Sequence, residues 1–331
     1  MLLSVDGGAT KTVAIIYDEE KSEIKGIGIA GPSNLGSAGP KTARDNILNA
    51  MRSAMEEAKV DLNCIEDGIF GIAGIGDSRE MTELGNSIIR DLSGNRDFTI
   101  VNDGVPAYYL GNLENDGIVF AGGTGSVAFY RKYETMGRRG GWNWFVGDDG
   151  SASWIAKRAI NIATMEEDGI FPEKLLVNEV ESYFDTDFRE AIALVDKFQD
   201  KSLVAGFAPN VSGLANNGYR RALNILSESA GYVVAMINSL KSEFSKVPDI
   251  AVLGGTVQSG VLYRNMIQSE VKEKIEFFLG YQVSIGGILI LLQKKGKKIN
   301  KIYRDEMLTE LDSKLRNLDR GILEKYLHFR S

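Results

Sequence analysis

The first hundred residues alternate short apolar runs with longer segments of helical period. Residues 2–5 and 12–17 flank a polar, glycine-rich turn, which predicts a β-hairpin, and residues 24–29 predict a third strand. Small or apolar side chains recur at helical spacing over residues 42–60 and 84–92. A short apolar run at 68–75 separates these helices, and another at 98–101 follows them. The order β-β-β-α-β-α-β predicts a mixed sheet flanked by helices.

The same pattern starts again at Gly117. An apolar run leads into the turn Gly122-Gly123-Thr124-Gly125-Ser126, and a second β-rich run follows it. Further on, the periodicity predicts helices at 221–244 and 261–276, a strand at 250–253 and a charged amphipathic helix at 305–326. The repeated strand–turn–strand predicts an internal duplication. We therefore expect one domain over residues 1–113 and a second, with a helical insertion, over 114–302. A C-terminal helix at about 303–331 is expected to pack back on the first domain.

Composition narrows the class of protein. Apolar residues make up 44% and charged residues 25% of the 331, which is typical of soluble globular domains. The longest apolar run, residues 285–292, is too short for a membrane span, which takes about 20 residues. The net charge of -7 disfavours binding to a phosphate backbone. We expect a cytoplasmic protein that acts on a small molecule, with neither a nucleic-acid nor a membrane partner.

Cysteine and histidine are nearly absent. Cys64 is the single cysteine, so the chain forms no internal disulfide and no multi-thiolate metal site. His328 is the single histidine, which argues against a histidine-based catalytic triad or zinc site. Acid–base chemistry must therefore come from carboxylates.

Glycine is in excess, and it clusters in turns that follow strands. The chain has 37 glycines, about 11% against a usual level of about 7%. The turn Asp6-Gly7-Gly8-Ala9-Thr10-Lys11 is expected to bind an anion through its backbone N–H groups. Asp6 is a suitable oxygen ligand for Mg²⁺. The turn at 122–126 predicts a second such cradle. Neither turn has the P-loop or Rossmann pattern, and an ordinary hairpin is the alternative for each one alone.

Asp103 follows the strand at 98–101 and precedes a predicted helix at 106–110. A carboxylate there is placed to accept a proton from an attacking hydroxyl during phosphoryl transfer. An N-cap of the helix is the alternative role, and the sequence does not separate the two.

The densest segment, residues 140–154, combines rings, amides and carboxylates before a helix that begins near Ser151. Aromatic faces with hydrogen-bonding side chains are typical of sites for flat, polar ligands such as sugars. The alternative places Trp142 and Trp144 in the core.

Five ordered motifs together resemble those of N-acetylglucosamine kinases and the related BadF-type ATPases, in the actin/sugar kinase/heat-shock chaperone superfamily. The resemblance covers roughly residues 1–300. It implies an α/β fold of two ribonuclease-H-like (actin-like ATPase) domains, each a mixed five-stranded sheet flanked by helices, closing over a cleft. The motifs are residues 6–11, 102–104, 122–126, 140–151 (without 143–146) and 253–257.

The resemblance also implies roles for individual residues, with ATP and Mg²⁺ as cofactors and a homodimer as the expected assembly. Asp103 would be the catalytic base, and Asp6 would hold Mg²⁺, directly or through water. The implied ATP-binding residues are Gly7, Gly8, Thr10, Lys11, Gly123, Thr124, Ala205, Gly254, Gly255 and Thr256. The implied substrate-binding residues are Asn34, Asp103, Ser126, Gly141, Trp142, Asn143 and Asp148.

The implied activity is transfer of the ATP γ-phosphoryl group to a sugar or sugar-acid hydroxyl. Trp142-Asn143-Trp144 departs from the Gly-Trp-Gly-His that amino-sugar kinases typically have, and Val127 stands where a polar residue often follows. Arg138 and Arg139 could pair with a substrate carboxylate or simply belong to a solvated turn. We therefore expect 2-keto-3-deoxygluconate as the substrate, with N-acetylglucosamine or another amino sugar or hexose as the alternative.

Two other classes of function fit less well. BadF-type activator ATPases of dehydratases hold an iron–sulfur cluster with cysteines from two subunits, and Cys64 cannot supply two ligands per chain. A filament-forming or chaperone-like ATPase would leave the Trp-rich segment without a role.

Overall fold

The structure is a computed structural model that describes residues 1–198 and 200–327. It divides into unit 1, which comprises Met1–Asn115 and the chain from Gly280 onward, and unit 2, Asp116–Leu279. His328 and the last residues of the predicted C-terminal helix lie outside the described residues. Every helix in the described ranges is too short or too polar to traverse a lipid bilayer.

Within residues 1–198 and 200–327, ten strands and fourteen helices are numbered in chain order. The strands are β1 Leu2–Gly7, β2 Thr12–Asp18, β3 Glu23–Ala30, β4 Asp67–Ile72, β5 Thr99–Val101, β6 Gly117–Gly122, β7 Ser126–Lys132, β8 Thr135–Gly140, β9 Asp249–Leu253 and β10 Ile275–Phe278. The helices are α1 Leu35–Ala38, α2 Pro40–Ala58, α3 Arg79–Leu92, α4 Gly104–Asn112, α5 Ala152–Glu167, α6 Leu175–Phe184, α7 Phe188–Phe198, α8 Lys201–Ala205, α9 Ala208–Asn216, α10 Arg220–Lys241, α11 Val261–Glu270, α12 Val283–Lys294, α13 Lys301–Leu315 and α14 Arg320–Ile322. Short 3₁₀ turns (Leu62–Cys64, Gly255–Ser259, Gly280–Gln282) and a π turn (Leu323–Leu327) complete them.

The two units contain the same kind of sheet. In unit 1 the strand order is β3-β2-β1-β4-β5, and in unit 2 it is β10-β9-β6-β7-β8. In each unit the first three strands pair antiparallel, the fourth pairs parallel with the first, and the fifth pairs parallel with the fourth. The predicted fold class, two mixed five-stranded sheets flanked by helices, is therefore confirmed.

Helices cover both faces of the unit 1 sheet. Leu3 and Val5 point to the face under α2 and α3, where the main core of this unit lies. Ser4, between them in the strand, points to the opposite face, because side chains alternate along a strand. There it lies against Gly287 of α12. Helix α12 contacts α4 as well as β1 and β4.

The core of unit 2 is built where α5, α9 and α10 pack beside the sheet. It includes Ile118 and Phe120 of β6 with Ile155 of α5 and Ile225 and Val233 of α10. Helix α5 begins at Ala152, and Ser151, where the sequence predicts its start, is the N-cap, whose Oγ accepts from the Trp154 N–H at 3.2 Å.

The helix predicted at 261–276 is wrong beyond Glu270. Residues 275–278 form β10, which pairs parallel with β9 from Ile275 beside Ile250 to Phe278 beside Leu253. Gln268 accepts from the Ile275 N–H and donates to the carbonyls of Val271 and Glu273. These bonds fix the bend between helix and strand, and sheet pairing then overrides the helical period.

The chain is also divided differently from the prediction. Unit 1 extends to Asn115, and residues 280–302, expected in the second domain, belong to unit 1 because α12 packs on its sheet. Helix α13 follows onto unit 1, where the hydroxyls of Tyr17 and Tyr303 are 2.5 Å apart. The helix predicted at 305–326 is not continuous, since α13 ends at Leu315 and Asp319 caps a separate turn.

Candidate functional site

The turn between β1 and β2 is held in one shape by its neighbours. Gly8 N–H donates to the Lys11 carbonyl at 2.9 Å, and the Gly8 carbonyl accepts from the N–H groups of Ser33 and Asn34. Thr12 Oγ1 donates to the Gly31 carbonyl and lies 2.8 Å from Ser33 Oγ. The structure therefore places Gly7, Gly8, Thr10 and Lys11, four predicted ATP-binding residues, on a single braced turn.

Asp6 and Asp103 lie close together although they are 97 positions apart in the chain. Asp6 is paired with Gly71 of β4, and a Cβ added at Gly71 would lie 3.5 Å from Asp103 Cα. Burial and then the Asp103 charge raise the pKa of Asp6 well above its usual value, while Lys11 opposes the shift. Burial lowers the pKa of Lys11. Two carboxylates and one ammonium thus share a partly desolvated region of unit 1.

Asp103 occupies the N-cap position of α4, but its side chain does not serve as the cap. Its side chain makes no capping hydrogen bond, whereas Asn102 Oδ1 accepts from the Gly104 N–H at 2.9 Å and Asn102 Nδ2 donates to the Ile75 carbonyl. Burial and then the charge of Asp77 raise the pKa of Asp103 to about 6, against smaller lowering by backbone N–H groups. Sequence reasoning missed Asp77, which follows the glycine-rich end of β4 with no motif to mark it.

Asn34, a predicted sugar ligand, has a structural role in α1. Its Oδ1 accepts from the N–H groups of Gly36 and Ser37 at 2.9 and 3.0 Å. The capping bonds use the carboxamide oxygen, so Nδ2 is the group that could donate to a sugar oxygen.

Asp6 is the carboxylate of unit 1 that is suited to a magnesium ion, in a site that phosphate and water would complete. In the described chain no three His, Cys, Asp or Glu side chains are grouped to hold a metal alone. Mg²⁺ commonly takes one or two carboxylates and completes its shell with phosphate oxygens and water. Asp6, whose ionised form is disfavoured by the nearby Asp103, is a suitable carboxylate for such an ion, because a cation would offset that repulsion.

Unit 2 has a second braced turn, between β6 and β7. Gly123 N–H donates to the Gly125 carbonyl at 2.8 Å, and the Gly123 carbonyl accepts from the Ala152 N–H at the start of α5. Thr256 Oγ1 donates to the Gly122 carbonyl at 2.9 Å. Gly254, with φ of 114°, approaches Gly122 so closely that a Cβ would overlap its carbonyl oxygen. The predicted residues Gly123, Thr124, Gly254, Gly255 and Thr256 therefore meet at one end of the unit 2 sheet.

Asp148, a predicted sugar ligand, is buried and paired with a residue that sequence reasoning missed. Its Oδ2 lies 2.5 Å from Lys201 Nζ, and the two side chains are 5% and 26% exposed. Lys201 is the first residue of α8, and the predicted ATP-binding Ala205 is the last. Asp200 before an apolar run could have indicated the start of α8, but no spacing connects residue 201 with residue 148.

Other predicted sugar ligands differ in their surroundings. Ser126 Oγ donates to the Asp149 carbonyl at 2.8 Å and its carbonyl accepts from the Gly141 N–H, so both its polar groups support the fold. Trp142 is 75% exposed, and Asn143 is exposed beside it. Trp144 is half-buried and packs on the unit 2 core. One tryptophan is therefore structural and the other is available to a ligand.

Arg139 is engaged within unit 2. Its guanidinium donates to the Ser239 carbonyl at 2.9 Å and pairs with Glu243 at 3.0 Å. Arg138 is exposed on the same strand. The charge that would have recognised a sugar acid through Arg139 is thus already offset by a carboxylate of the protein.

A model of the BadF/BadG/BcrA/BcrD ATPase family matches residues 3–290. A curated N-acetylmuramic acid/N-acetylglucosamine kinase of Clostridium acetobutylicum is 28% identical over 163 residues, which cover 49% of this chain and 53% of that protein. The match therefore spans about half the length of that relative. An N-acetyl-D-glucosamine kinase of Dictyostelium discoideum is 21% identical over 290 residues, covering 82% of this chain and 90% of that protein.

The fold also occurs among solved structures. A protein from Chromobacterium violaceum, provisionally named an N-acetylglucosamine kinase, superimposes with a TM-score of 0.70 at 20% identity. The superposition covers 88% of this chain and 98% of that one. At this identity the likeness concerns the architecture.

Proposed function

Because the chain belongs to the BadF/BadG/BcrA/BcrD ATPase family, we propose that it is an ATP-dependent sugar kinase and that its substrate is an amino sugar, N-acetylglucosamine first. The observation that carries the proposal is the Asp103 carboxylate, which caps no helix and lies next to Asp6 and the braced β1–β2 turn. The names of the matched relatives support the substrate class.

In the proposed reaction Asp103 acts as the general base. Its carboxylate accepts the proton of a sugar hydroxyl while the hydroxyl oxygen forms a bond to the γ-phosphorus of ATP and the bond between that phosphorus and the β–γ bridging oxygen breaks. The products are the sugar phosphate, ADP and one proton. A base with a pKa near 6 is ionised at neutral pH and still basic enough to assist.

The remaining roles are assigned to each unit separately. In unit 1, the N–H groups of the β1–β2 turn and the Lys11 ammonium are suited to binding phosphate oxygens. In unit 2, the N–H groups of the β6–β7 turn are suited to the same role. When bound, Mg²⁺ would be held by Asp6 and would neutralise phosphate charge. Asp148 and the exposed Trp142 are assigned to the sugar, as a hydrogen-bond acceptor and an apolar ring face.

An amino sugar is a better candidate than the 2-keto-3-deoxygluconate expected from the sequence. The sugar-acid hypothesis depended on a guanidinium at the pocket segment, and Arg139 is paired with Glu243. The matched relatives carry the names of amino-sugar kinases, and the one sugar acid in those names, N-acetylmuramic acid, is itself an amino sugar.

A coupled ADP-release assay tests the proposal with N-acetylglucosamine, glucosamine, glucose, gluconate and 2-keto-3-deoxygluconate, each with Mg²⁺ and ATP. We expect the fastest sugar-dependent release with N-acetylglucosamine and the slowest with the two acids. Reactions without sugar measure background hydrolysis, and mass spectrometry identifies the phosphorylated product. ADP release that no sugar accelerates would contradict a sugar kinase, and a preference for the acids would contradict the assignment of the substrate.

A further inference from the structure

A buried carboxylate and an ammonium form an ion pair beside the β6–β7 turn of unit 2. Asp148 is 5% exposed in its side chain, and Lys201 reaches it from α8, 53 residues further along the chain. A charge taken out of water is costly unless a partner with good geometry compensates it. The Lys201 ammonium, 2.5 Å from Asp148 Oδ2, is that partner.

Only one oxygen of the Asp148 carboxylate is used by this pair. Oδ2 accepts from the Lys201 ammonium. Within the described chain, Oδ1 makes no hydrogen bond to the protein and is not fully buried. Oδ1 therefore retains contact with solvent. An ionised carboxylate accepts hydrogen bonds only, so this oxygen is suited to a hydroxyl donor.

The pair lies directly against the β6–β7 turn. A Cβ added at Gly125 would stand 2.6 Å from Lys201 Nζ and 2.7 Å from Asp148 Oδ2. Because residue 125 is a glycine, the turn leaves room for the ion pair. Gly123, two residues earlier, has open space on its Cβ side.

The backbone at Asp148 is fixed as well. Its φ is 55°, in the left-handed region that non-glycine residues seldom occupy, and its carbonyl accepts from the Ser151 N–H at the start of α5. Such conformations persist only when the surroundings determine them. Backbone and side chain together hold the carboxylate in one orientation.

We propose that Lys201 is a positioning residue for the sugar: by holding Oδ2 of Asp148, it aims Oδ1 as the acceptor for a sugar hydroxyl and so sets the affinity for the sugar. This rests on the proposed function. The ammonium also offsets the carboxylate charge, so a neutral hydroxyl is bound by a pair with no net charge rather than by an isolated anion.

Lys201→Met tests the inference, with N-acetylglucosamine as the probe. We expect KM for the sugar to rise by about tenfold or more, the scale of one hydrogen bond to a charged group. KM for ATP should change by less than about threefold, the spread found for independent sites. Titration of tryptophan fluorescence with the sugar, in the absence of ATP, should give a parallel loss of binding. Lys201→Arg should recover most of the affinity.

A double-mutant cycle shows whether Lys201 acts through Asp148. The effects of Lys201→Met and Asp148→Asn on sugar affinity should be strongly non-additive, since both weaken the same hydrogen bond to the sugar. The double variant leaves no unpaired charge in the interior, so if Lys201→Met alone unfolds, it is compared with Asp148→Asn instead. Equal sugar affinities of these two variants would support the inference, and a further loss in the double variant would contradict it. Lys174→Met, which breaks the exposed Lys174–Glu167 pair of the same unit, is the control and should change neither KM.

The outcomes separate this inference from the proposed function. If the unsubstituted protein neither binds nor phosphorylates N-acetylglucosamine, the proposed function fails and the inference falls with it. If that protein is active and Lys201→Met leaves sugar affinity unchanged, the inference alone is wrong. It is wrong too if KM for ATP rises instead, which would make Lys201 a nucleotide ligand, or if the two single effects simply multiply.

Discussion

At the start of α4, the adjacent side chains of Asn102 and Asp103 have different roles. Asn102 caps the helix and ties it to the Ile75 carbonyl, so the Asp103 carboxylate is positioned without serving as the cap. Burial and the negative charge of Asp77 then make this carboxylate more basic than an exposed one, and they outweigh the backbone N–H groups that lower its pKa. The local structure thus leaves Asp103 available as a base.

Asp103→Asn should lower turnover by at least about 100-fold, the usual contribution of a general base. Affinity for ATP should change little, because Asn102 and the β1–β2 turn remain in place. Steady-state kinetics and titration with a fluorescent ATP analogue measure the two effects. Asn102→Ala is the matched comparison, since it removes the cap and leaves the base. A near-normal rate for Asp103→Asn would show that this carboxylate is not the base.

The pH profile gives an independent check on the same residue. The ionised carboxylate is the active form, so kcat/KM should be constant above the Asp103 pKa of about 6 and decrease as the pH falls through it. The decrease should approach about tenfold per pH unit. The residual activity of Asp103→Asn should lack this step. If kcat/KM of that variant still fell in the same way at low pH, the decrease would arise from the titration of another group.

The sequence predicted Asp6 and Asp103 as site residues because each is a carboxylate at the end of a strand, and the family resemblance implied Asp148. It left open whether Asp103 caps a helix, since both roles call for the same residue at the same place, and the hydrogen bonds of Asn102 were needed to separate them. Asp77 and Lys201 could not be found, because their significance lies in contacts between distant parts of the chain.

At the scale of elements, α4 is kept in place by α12. A Cβ at Gly286 would overlap the Pro106 carbonyl oxygen of α4, so these two helices meet backbone to backbone. At the other end of α4, Arg304 of α13 is 2% exposed and donates to the carbonyls of Leu110 and Gly111. The orientation of Asp103 therefore depends on two helices that follow it by more than 150 residues.

Gly286→Ala should lower the free energy of unfolding by about 1–3 kcal/mol or more, as overpacking does, because α4 and α12 must move apart. Turnover should decrease with it, since α4 begins next to Asp103. Urea unfolding and steady-state kinetics measure both. Gly213→Ala is the control, because a Cβ added at this glycine of α9 would meet no atom within 4 Å. It should stabilise by about 0.5–1 kcal/mol through helix propensity. Equal effects of the two substitutions would argue against the close helix contact.

The sequence predicted most elements correctly where local patterns were strong. The hairpins around both glycine turns and helices α2, α3, α5 and α10 follow from residue type and periodicity. Strand β10 did not, because residues 271–278 continue the apolar spacing of α11 and become a strand only through pairing with β9. The predicted C-terminal helix was too long for a similar reason, since nothing in the apolar spacing marks the break after Leu315.

At the scale of the whole molecule, the two units differ in how the chain builds them. Unit 2 is one continuous segment, Asp116–Leu279, with its own core, whereas unit 1 needs residues from both sides of it. The duplication was visible in the sequence as repeated strand–turn–strand patterns. The return of residues 280–302 to unit 1 was not, because an apolar helical pattern indicates burial without indicating which sheet covers it.

A fragment of residues 116–279 expressed alone should fold and give a cooperative thermal transition by circular dichroism, because its sheet and core are complete. A fragment of residues 1–115 should not, since without α12 one face of β1 and β4 is uncovered. Adding residues 280–327 as a separate peptide should restore a cooperative transition to the second fragment. Cooperative melting of residues 1–115 alone would show that α12 is dispensable for unit 1.

The return of the chain to unit 1 has a consequence for how the protein is made in the cell. Ribosomes release the amino-terminal end first, and domains commonly fold in that order. Here residues 1–115 must wait with an apolar face uncovered while all of Asp116–Leu279 is synthesised and folds. Strand β1, which carries Asp6, is thus translated before unit 2 and covered by α12 only after it, so the nascent chain needs protection from aggregation while unit 2 is made.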